Sequence, residues 1–439
     1  MIRLEKNLTN SINYFEKSKK LIPSLTQTFS RAAYTFVEGS FPVYAKNADG
    51  SHFTDVDGNE YVDYLCGLGP IILGHKYKRV DDAIKKQLDS GILFSLPHKL
   101  ELDVSELICD VVPSAEMVKF SKTGSGSATG AIRGARALTK RDKIAYCGSG
   151  GVWHDWYAAI ISRNQGIPKF NQDLILPFDY NDFDGLEYIF DQNKDEIACV
   201  FMEATIFDKP NNDFLHKVKK LAHKNNIVLI FDEIVTGFRF ANGGAQELFG
   251  VEPDITVLGK GIANGMPLSA ITGKTEYMKI FDDVFFSTTY AADTLSLAAG
   301  QATILEFKEK PVVKTIWENG TLLMEQFNKI TSENSINLRL EGYPVRMKVV
   351  GQDSKGNDSI LFRSLFIQEF VKKGIFVHPG VEYISFSHTK EDIKKTIQVL
   401  IDSIPVFKKA TEENDFESYL DGKPSRSVYS IVKPSIHKP

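Results

Sequence analysis

The sequence holds no apolar run of the roughly 18 residues needed to cross a bilayer. Its opening, MIRLEKNLTNSINYFEKSKK, is broken by charges every few residues and does not read as a secretory signal. Excess positive charge is missing as well. Lys+Arg 52 against Asp+Glu 56 gives a net charge of −4, so no general basic field awaits a nucleic-acid backbone. Cysteine is sparse: Cys66, Cys109, Cys147 and Cys199 lie far apart with no CxxC pair, which argues against a disulfide framework and a thiolate zinc site. The nine histidines show no HExxH spacing, and no metal is expected. What is present, 43% hydrophobic and 25% charged residues, suits a folded chain with a large core. The expectation is a cytoplasmic globular protein that binds neither nucleic acid nor membrane.

Short apolar runs at Met117–Phe120, Lys143–Cys147, Ile197–Met202, Ile227–Phe231, Ile255–Leu258 and Ser269–Gly273 alternate with helical patterns at Ser127–Leu138, Leu186–Asp191 and Phe214–Asn225. Runs without strict alternation, spaced by helices, predict strands buried on both faces of a mainly parallel sheet in an α/β domain. Before them, Phe53–Asp57 and Glu60–Tyr64 read as two strands around the Asp57-Gly58 turn, and Tyr77–Ser90 as an amphipathic helix. After them, a long helical stretch over Leu297–Phe327 leads to strand-like pieces at Tyr343–Val350 and Gly374–Val377 and a last helix at Glu391–Phe407. The predicted organisation is an N-terminal segment 1–75, a large domain 76–305 and a smaller α+β unit 306–439, the small domain being built from both termini.

Three strand ends carry chemistry. Lys122-Thr123-Gly124-Ser125-Gly126 joins a strand to a helix, and small residues there let backbone amides and the helix N-terminus approach an anion. The alternative is an ordinary turn; a P-loop is excluded because no GK[ST] follows. Ile227–Phe231 delivers Asp232 at its C-terminal end, where ligands of open parallel sheets gather, or else a carboxylate for a helix cap or an ion pair with Arg239. Leu258-Gly259-Lys260-Gly261 brackets a lysine with glycines, close to the backbone, where an amine can serve as a nucleophile; a solvated loop lysine is the bland reading. Together these supply what pyridoxal 5'-phosphate (PLP) requires: an anion site for the phosphate, a carboxylate for the ring nitrogen and a lysine for the aldehyde.

The strings DEIVTGFR (Asp232–Arg239) and LGKGIANGMPLSA (Leu258–Ala270) resemble those of class III PLP-dependent aminotransferases, closest to the glutamate-1-semialdehyde aminomutase-like members. TDVDGNEYVDY (Thr54–Tyr64), GLGPIILGH (Gly67–His75), AIRGARALTKRDKI (Ala131–Ile144) and LSLAAG (Leu295–Gly300) match in the family's order. The resemblance implies the PLP-dependent transferase fold of the aspartate-aminotransferase type, in a homodimer with shared active sites. It further implies Lys260 as the Schiff-base lysine, Asp232 as partner of the pyridinium nitrogen, Gly124 and Ser125 in the phosphate turn and Glu203 as a carboxylate near the ring. Thr289, in Ser287-Thr288-Thr289-Tyr290, matches the residue that reaches the neighbouring subunit's phosphate.

Departures from the family pattern mark where the carry-over stops. Gly148-Ser149-Gly150-Gly151-Val152-Trp153-His154-Asp155 lacks the family's aromatic–His–Gly sequence, whose ring stacks on PLP. Either Trp153 or His154 takes that place or the ring face is less covered; Trp153 is the expectation, against the alternative of a tryptophan buried in ordinary packing. Glu203-Ala204 replaces the usual Glu-Pro. Arg31 lies near the region where the family binds the substrate's anionic group, although a surface arginine is the simpler reading. Thr389 with Glu391-Asp392 reads equally as a site-mouth segment or a helix start. The aminomutase has a longer, glycine-rich lid where this chain has the short stretch Trp156–Pro168, which favours an aminotransferase working by a ping-pong cycle. The expected substrates are an amino-acid donor and a small ketone or aldehyde acceptor, phosphorylated or sugar carbonyls included. Glutamate-1-semialdehyde 2,1-aminomutase is the alternative. A nicotinamide-dependent oxidoreductase leaves Lys260 unexplained, and a non-catalytic protein of the same fold is the remaining option.

Overall fold

The computed structural model describes residues 7–42 and 44–438. The chain divides into two units: the residues up to Tyr77 with Lys314–Val428, and Lys78–Val313 with the segment from Tyr429 on.

The first unit opens with the helix Thr9–Ser18 and the antiparallel strands β1 (Ala45–Asp49), β2 (His52–Asp55) and β3 (Glu60–Asp63). Their turn is the expected one: Gly58 has φ +89, a conformation that costs glycine little, and Asp55 Oδ1 accepts the amides of Asp57 and Asn59.

The second unit follows. Its strands are β4 (Met117–Ser121), β5 (Lys143–Cys147), β6 (Ile175–Pro177), β7 (Ile197–Met202), β8 (Val228–Glu233), β9 (Ile255–Leu258) and β10 (Ser269–Gly273). They form one sheet in the order β4-β10-β9-β8-β7-β5-β6. Only β10 runs against its neighbours; the pairs β5–β6, β5–β7, β7–β8 and β8–β9 are parallel. The residues of β7 and β9 are buried throughout, as strands covered on both faces must be. Ala128, Ala131, Ile132 and Ala135 of the helix Gly124–Thr139 join Ile144, Phe201, Ile230, Val257 and Ile271 of the sheet in one core. Small residues on this helix let it lie close to the strands.

The helix Val312–Glu333 carries the chain back to the first unit, which is completed by β11 (Leu338–Tyr343), β12 (Arg346–Gly351), β13 (Ile375–Phe376), β14 (Glu382–Tyr383) and the helices Ile360–Lys372 and Lys390–Glu412. β11, β12 and β14 form a small antiparallel sheet, and β13 adds in parallel to β3. Thr389 closes a capping box with Asp392, so the helix-start reading of that segment holds. The helical stretch expected over Leu297–Phe327 is instead two helices, Thr294–Glu309 and Val312–Glu333, parted at Pro311. Lys310 is extended there (φ −124, ψ 153), as a residue preceding proline prefers. The tail from Tyr429 on, assigned above to the small domain, belongs to the second unit. Among the described residues no helix is long and apolar enough to cross a membrane.

Candidate active site

Because β10 alone is reversed, β4, β5, β7, β8 and β9 all end at the same edge of the sheet of the second unit. Register places the groups there. Asp232 lies opposite Val257 and Glu233 opposite Leu258, so the Asp232 carboxylate and Lys260, two residues beyond Leu258, emerge from adjacent strand ends. Met202 pairs with Phe231 and with Cys147, which brings Glu203 and the loop after Cys147 to the next two positions.

Ile234 ties the three motifs together. A Cβ at Gly124 would stand 2.6 Å from Ile234 Cδ1, and one at Gly259 would stand 3.3 Å from Ile234 Cγ2. The helix carrying the candidate cradle, the strand end carrying Asp232 and the strand end carrying Lys260 therefore meet on one side chain, and glycine at 124 is required by that closeness. Ser269 Oγ adds a second link, donating to the Leu258 carbonyl at 2.5 Å and sharing a 2.8 Å hydrogen bond with Ser127 Oγ.

At the start of the helix Gly124–Thr139, Thr123 Oγ1 accepts the Gly126 amide at 3.0 Å. The Gly124 and Ser125 amides belong to the same first turn, whose donors have no partner inside the helix. Backbone N–H groups and the positive end of a sixteen-residue helix suit a phosphate. Lys122, the lysine just before them, is committed elsewhere: its amine donates to the Pro267 carbonyl at 2.9 Å and Ser296 Oγ at 3.0 Å and pairs with Asp293. Lys260 differs. Its backbone is left-handed, φ +43, a conformation that costs an ordinary side chain about 1 kcal/mol or more. It is half-buried, and among the described residues its amine has no hydrogen-bond or ion-pair partner. Asp232 is half-buried, with Oδ1 accepting the Ile234 amide at 3.0 Å.

Glu203 is buried at 5% exposure, and Oε1 accepts both the amide and the hydroxyl of Ser149, at 2.6 and 2.5 Å. This fixes the loop after β5. Beneath it, burial pushes the Tyr146 hydroxyl well above its ordinary pKa, helped by the negative charges of Glu203 and Asp232. Trp153 is 72% exposed, which overturns the core-packing reading; its amide lies 3.4 Å from Ser125 Oγ and its ring is edge-on to His154. His154 in turn shares a 2.8 Å hydrogen bond between Nδ1 and Thr129 Oγ1, which accepts from Trp156 Nε1 at 2.9 Å. Burial holds the His154 imidazole below its ordinary pKa.

The sheet edge thus unites Gly124, Ser125, Glu203, Asp232 and Lys260, with Trp153 beside the cradle. Thr289 is exposed in a loop of the same unit, and Arg31 belongs to the first unit, exposed, with Nη2 donating to the Gly67 carbonyl at 2.9 Å. Sequence reasoning missed Ser149 and Thr129. Only the shared serine–glutamate and threonine–histidine bonds reveal them, and these join residues 54 and 25 apart. No group of side chains able to hold a metal occurs among the described residues.

An amine without a partner, an anion cradle and a carboxylate on one sheet edge fit PLP, and they define a PLP-type transferase site. Comparisons with known proteins agree. The family model for aminotransferase class-III matches residues 34–404. The 3-aminobutyryl-CoA aminotransferase of Cloacimonas acidaminovorans is 33% identical, over 92% of this chain and 98% of its own. The glutamate-1-semialdehyde 2,1-aminomutase of Acetivibrio thermocellus is 34% identical, over 89% and 96%. Among solved structures, the PLP-containing FumI protein of a Sphingopyxis species superposes with a TM-score of 0.87 at 22% identity, covering 95% of this chain and 99% of that one. The chain belongs to the class III aminotransferases, and its cofactor is PLP. When bound, this cofactor takes up an amino group and stores the electron pair released from the substrate's Cα–H bond.

Proposed function

We propose that this protein is an aminotransferase that works by a ping-pong cycle, taking the amino group from an amino-acid donor such as glutamate and passing it to a small ketone or aldehyde. The observation that carries this reading is the meeting of the Gly124 and Gly259 backbones on Ile234, which puts Lys260 and Asp232 on one edge with the cradle. Lys260 would hold the cofactor, and its Nζ would carry the substrate proton. Asp232 keeps the ring nitrogen protonated. The Gly124 and Ser125 amides bind the phosphate, Trp153 covers the ring face, and Glu203 orders the loop that carries Trp153.

Relatives of similar identity include both an aminotransferase and aminomutases. Transfer is favoured here by the short stretch Trp156–Pro168, because a mutase must retain its half-converted intermediate whereas a transferase must let it go. The two separate in one assay: the protein, loaded with PLP, is titrated with amino acids and, separately, given glutamate 1-semialdehyde with no donor. Bleaching of the visible cofactor band with release of a keto acid supports transfer; isomerisation without a donor overturns it.

We assign the protein to the cytoplasm and to a homodimer. Ile92, Leu93, Phe94, Leu96, Phe285 and Tyr290 of the second unit are all exposed apolar side chains. Gly91 and Ile92 accept hydrogen bonds from Thr294, so this segment lies next to the loop of Thr289. A second copy on this face would let Thr289 serve the neighbour's phosphate. Sedimentation at a monomer mass would contradict the dimer. Arg31 is assigned to the substrate's anionic group; an unchanged donor KM in Arg31→Ala would remove it.

A further inference from the structure

The match to the family ends at residue 404, yet the chain runs on and its last segment returns to the unit that bears Lys260. This return is well anchored. The Val432 amide donates to the Ile160 carbonyl at 2.8 Å, the Ser162 amide to the Ser430 carbonyl at 2.8 Å, and the Ser430 amide to Ser162 Oγ at 3.1 Å. Ile431 and Ile161 form an antiparallel bridge. Farther along, the Lys433 amine donates to the carbonyls of Gln172 and Ile175, both at 2.6 Å, and the Ile436 amide to the Pro177 carbonyl at 2.8 Å. Ser435 Oγ reaches Asp179 at 2.5 Å. The segment is in effect a strap along the far edge of the sheet, where β6 lies.

At the head of the strap stands Tyr429. Its hydroxyl lies 3.4 Å from the Ser149 carbonyl and 3.4 Å from the hydroxyl of Tyr157, which is fully buried. Gly150 sits against both phenols: a Cβ there would overlap the Tyr157 hydroxyl and approach the Tyr429 hydroxyl to 2.8 Å. The loop Gly148–Trp153 is therefore gripped from two sides, by Glu203 through Ser149 and by the Tyr157–Tyr429 pair. Gly150 and Gly151 both have positive φ, +85 and +98, so the loop's own backbone does little to fix it.

We propose that the C-terminal strap is a built-in positioning element of the active site, in which Tyr429 holds the loop that presents Trp153 beside the phosphate cradle. The inference rests on the site assignment above and adds a part that lies outside the family's matched region. The strap acts through the loop, so Tyr429 is a positioning residue and touches no reacting atom.

Hydrogen exchange resolved by peptide tests this on wild-type protein, Tyr429→Phe and a chain ending at Val428, each with and without PLP. In the shortened chain, amides of residues 148–154 exchange at least about tenfold faster while those of β7 and β8 keep their rates; Tyr429→Phe gives a smaller rise, about threefold. In loaded Tyr429→Phe the visible circular dichroism of the cofactor changes, and the donor KM rises about fivefold or more with kcat within about twofold. Unchanged exchange at 148–154 in both variants overturns the proposal. So does an equal rise across β7 and β8, which would make the strap a general stabiliser only. Should the shortened chain not fold, exchange and circular dichroism in Tyr429→Phe decide. Absence of any visible band in loaded wild-type protein would instead strike at the site assignment, whereas exchange without PLP still reads the strap.

Discussion

In the first unit, half-buried histidines pair with buried carboxylates. His52 pairs with Asp392 at 3.0 Å, His75 with Asp63 at 3.1 Å, and Ser51 Oγ donates to Asp392 at 2.9 Å. His388 Nδ1 accepts the Ser385 amide at 3.0 Å, and Asn319 donates to the His388 carbonyl. The polar groups of the second unit's sheet edge do otherwise: the Lys260 amine has no partner among the described residues, and the Gly124 and Ser125 amides open a helix. Burying polar groups is costly in either place. The first unit offsets much of the cost from its own side chains, although His388 Nε2 is buried with no hydrogen-bond partner. In the second unit, on the function proposed above, the missing partner is the cofactor.

The sharpest way to break this contrast is to remove the unpartnered amine. Lys260→Ala lowers amino transfer by roughly 10³-fold or more while thermal unfolding stays close to wild type, because no internal contact is lost. A large fall in melting temperature would show the amine to be structural after all.

The first unit yields to pH instead. Burial holds His378 and His388 down at about 4, against an ordinary value of 6.5. Between those values the unfolded chain binds protons that the folded chain refuses, so this stability is complete above about 6.5 and is lost as pH falls towards 4. Each histidine contributes up to about 3 kcal/mol across that window. Urea unfolding at a series of pH values checks it, and His388→Gln flattens the slope.

Two glycines refine the comparison further. Gly124→Ala forces Ile234 aside, which costs about 1 kcal/mol or more of stability and weakens PLP binding about tenfold in a visible-absorbance titration. Gly58→Ala separates the two effects. Nothing lies within 4 Å of a Cβ there, but φ is +89, so stability falls by about 1 kcal/mol and PLP affinity is unchanged.

Legibility in the sequence followed the same division of physics. Strands β5, β7, β9 and β10 coincide with their apolar runs because burial on both faces writes a continuous signal. β6 is three residues ending in Pro177 and writes almost none. The strand-end positions of Asp232 and Lys260 were legible because a strand end followed by glycine or a carboxylate is a local pattern. Ser149, Thr129 and Tyr429 were not, since each matters through a partner distant in the chain. The strap was least legible of all: its hold on Ile160 and Pro177 runs through main-chain atoms, which leave no mark on residue type.

The central claim, that Lys260 is the amine reserved for the cofactor, has one direct test. The PLP-loaded protein is reduced with borohydride, digested and mapped by mass spectrometry. The account predicts the reduced cofactor on the peptide containing Lys260; its appearance on Lys122, or on no lysine while the visible band is present, would contradict it.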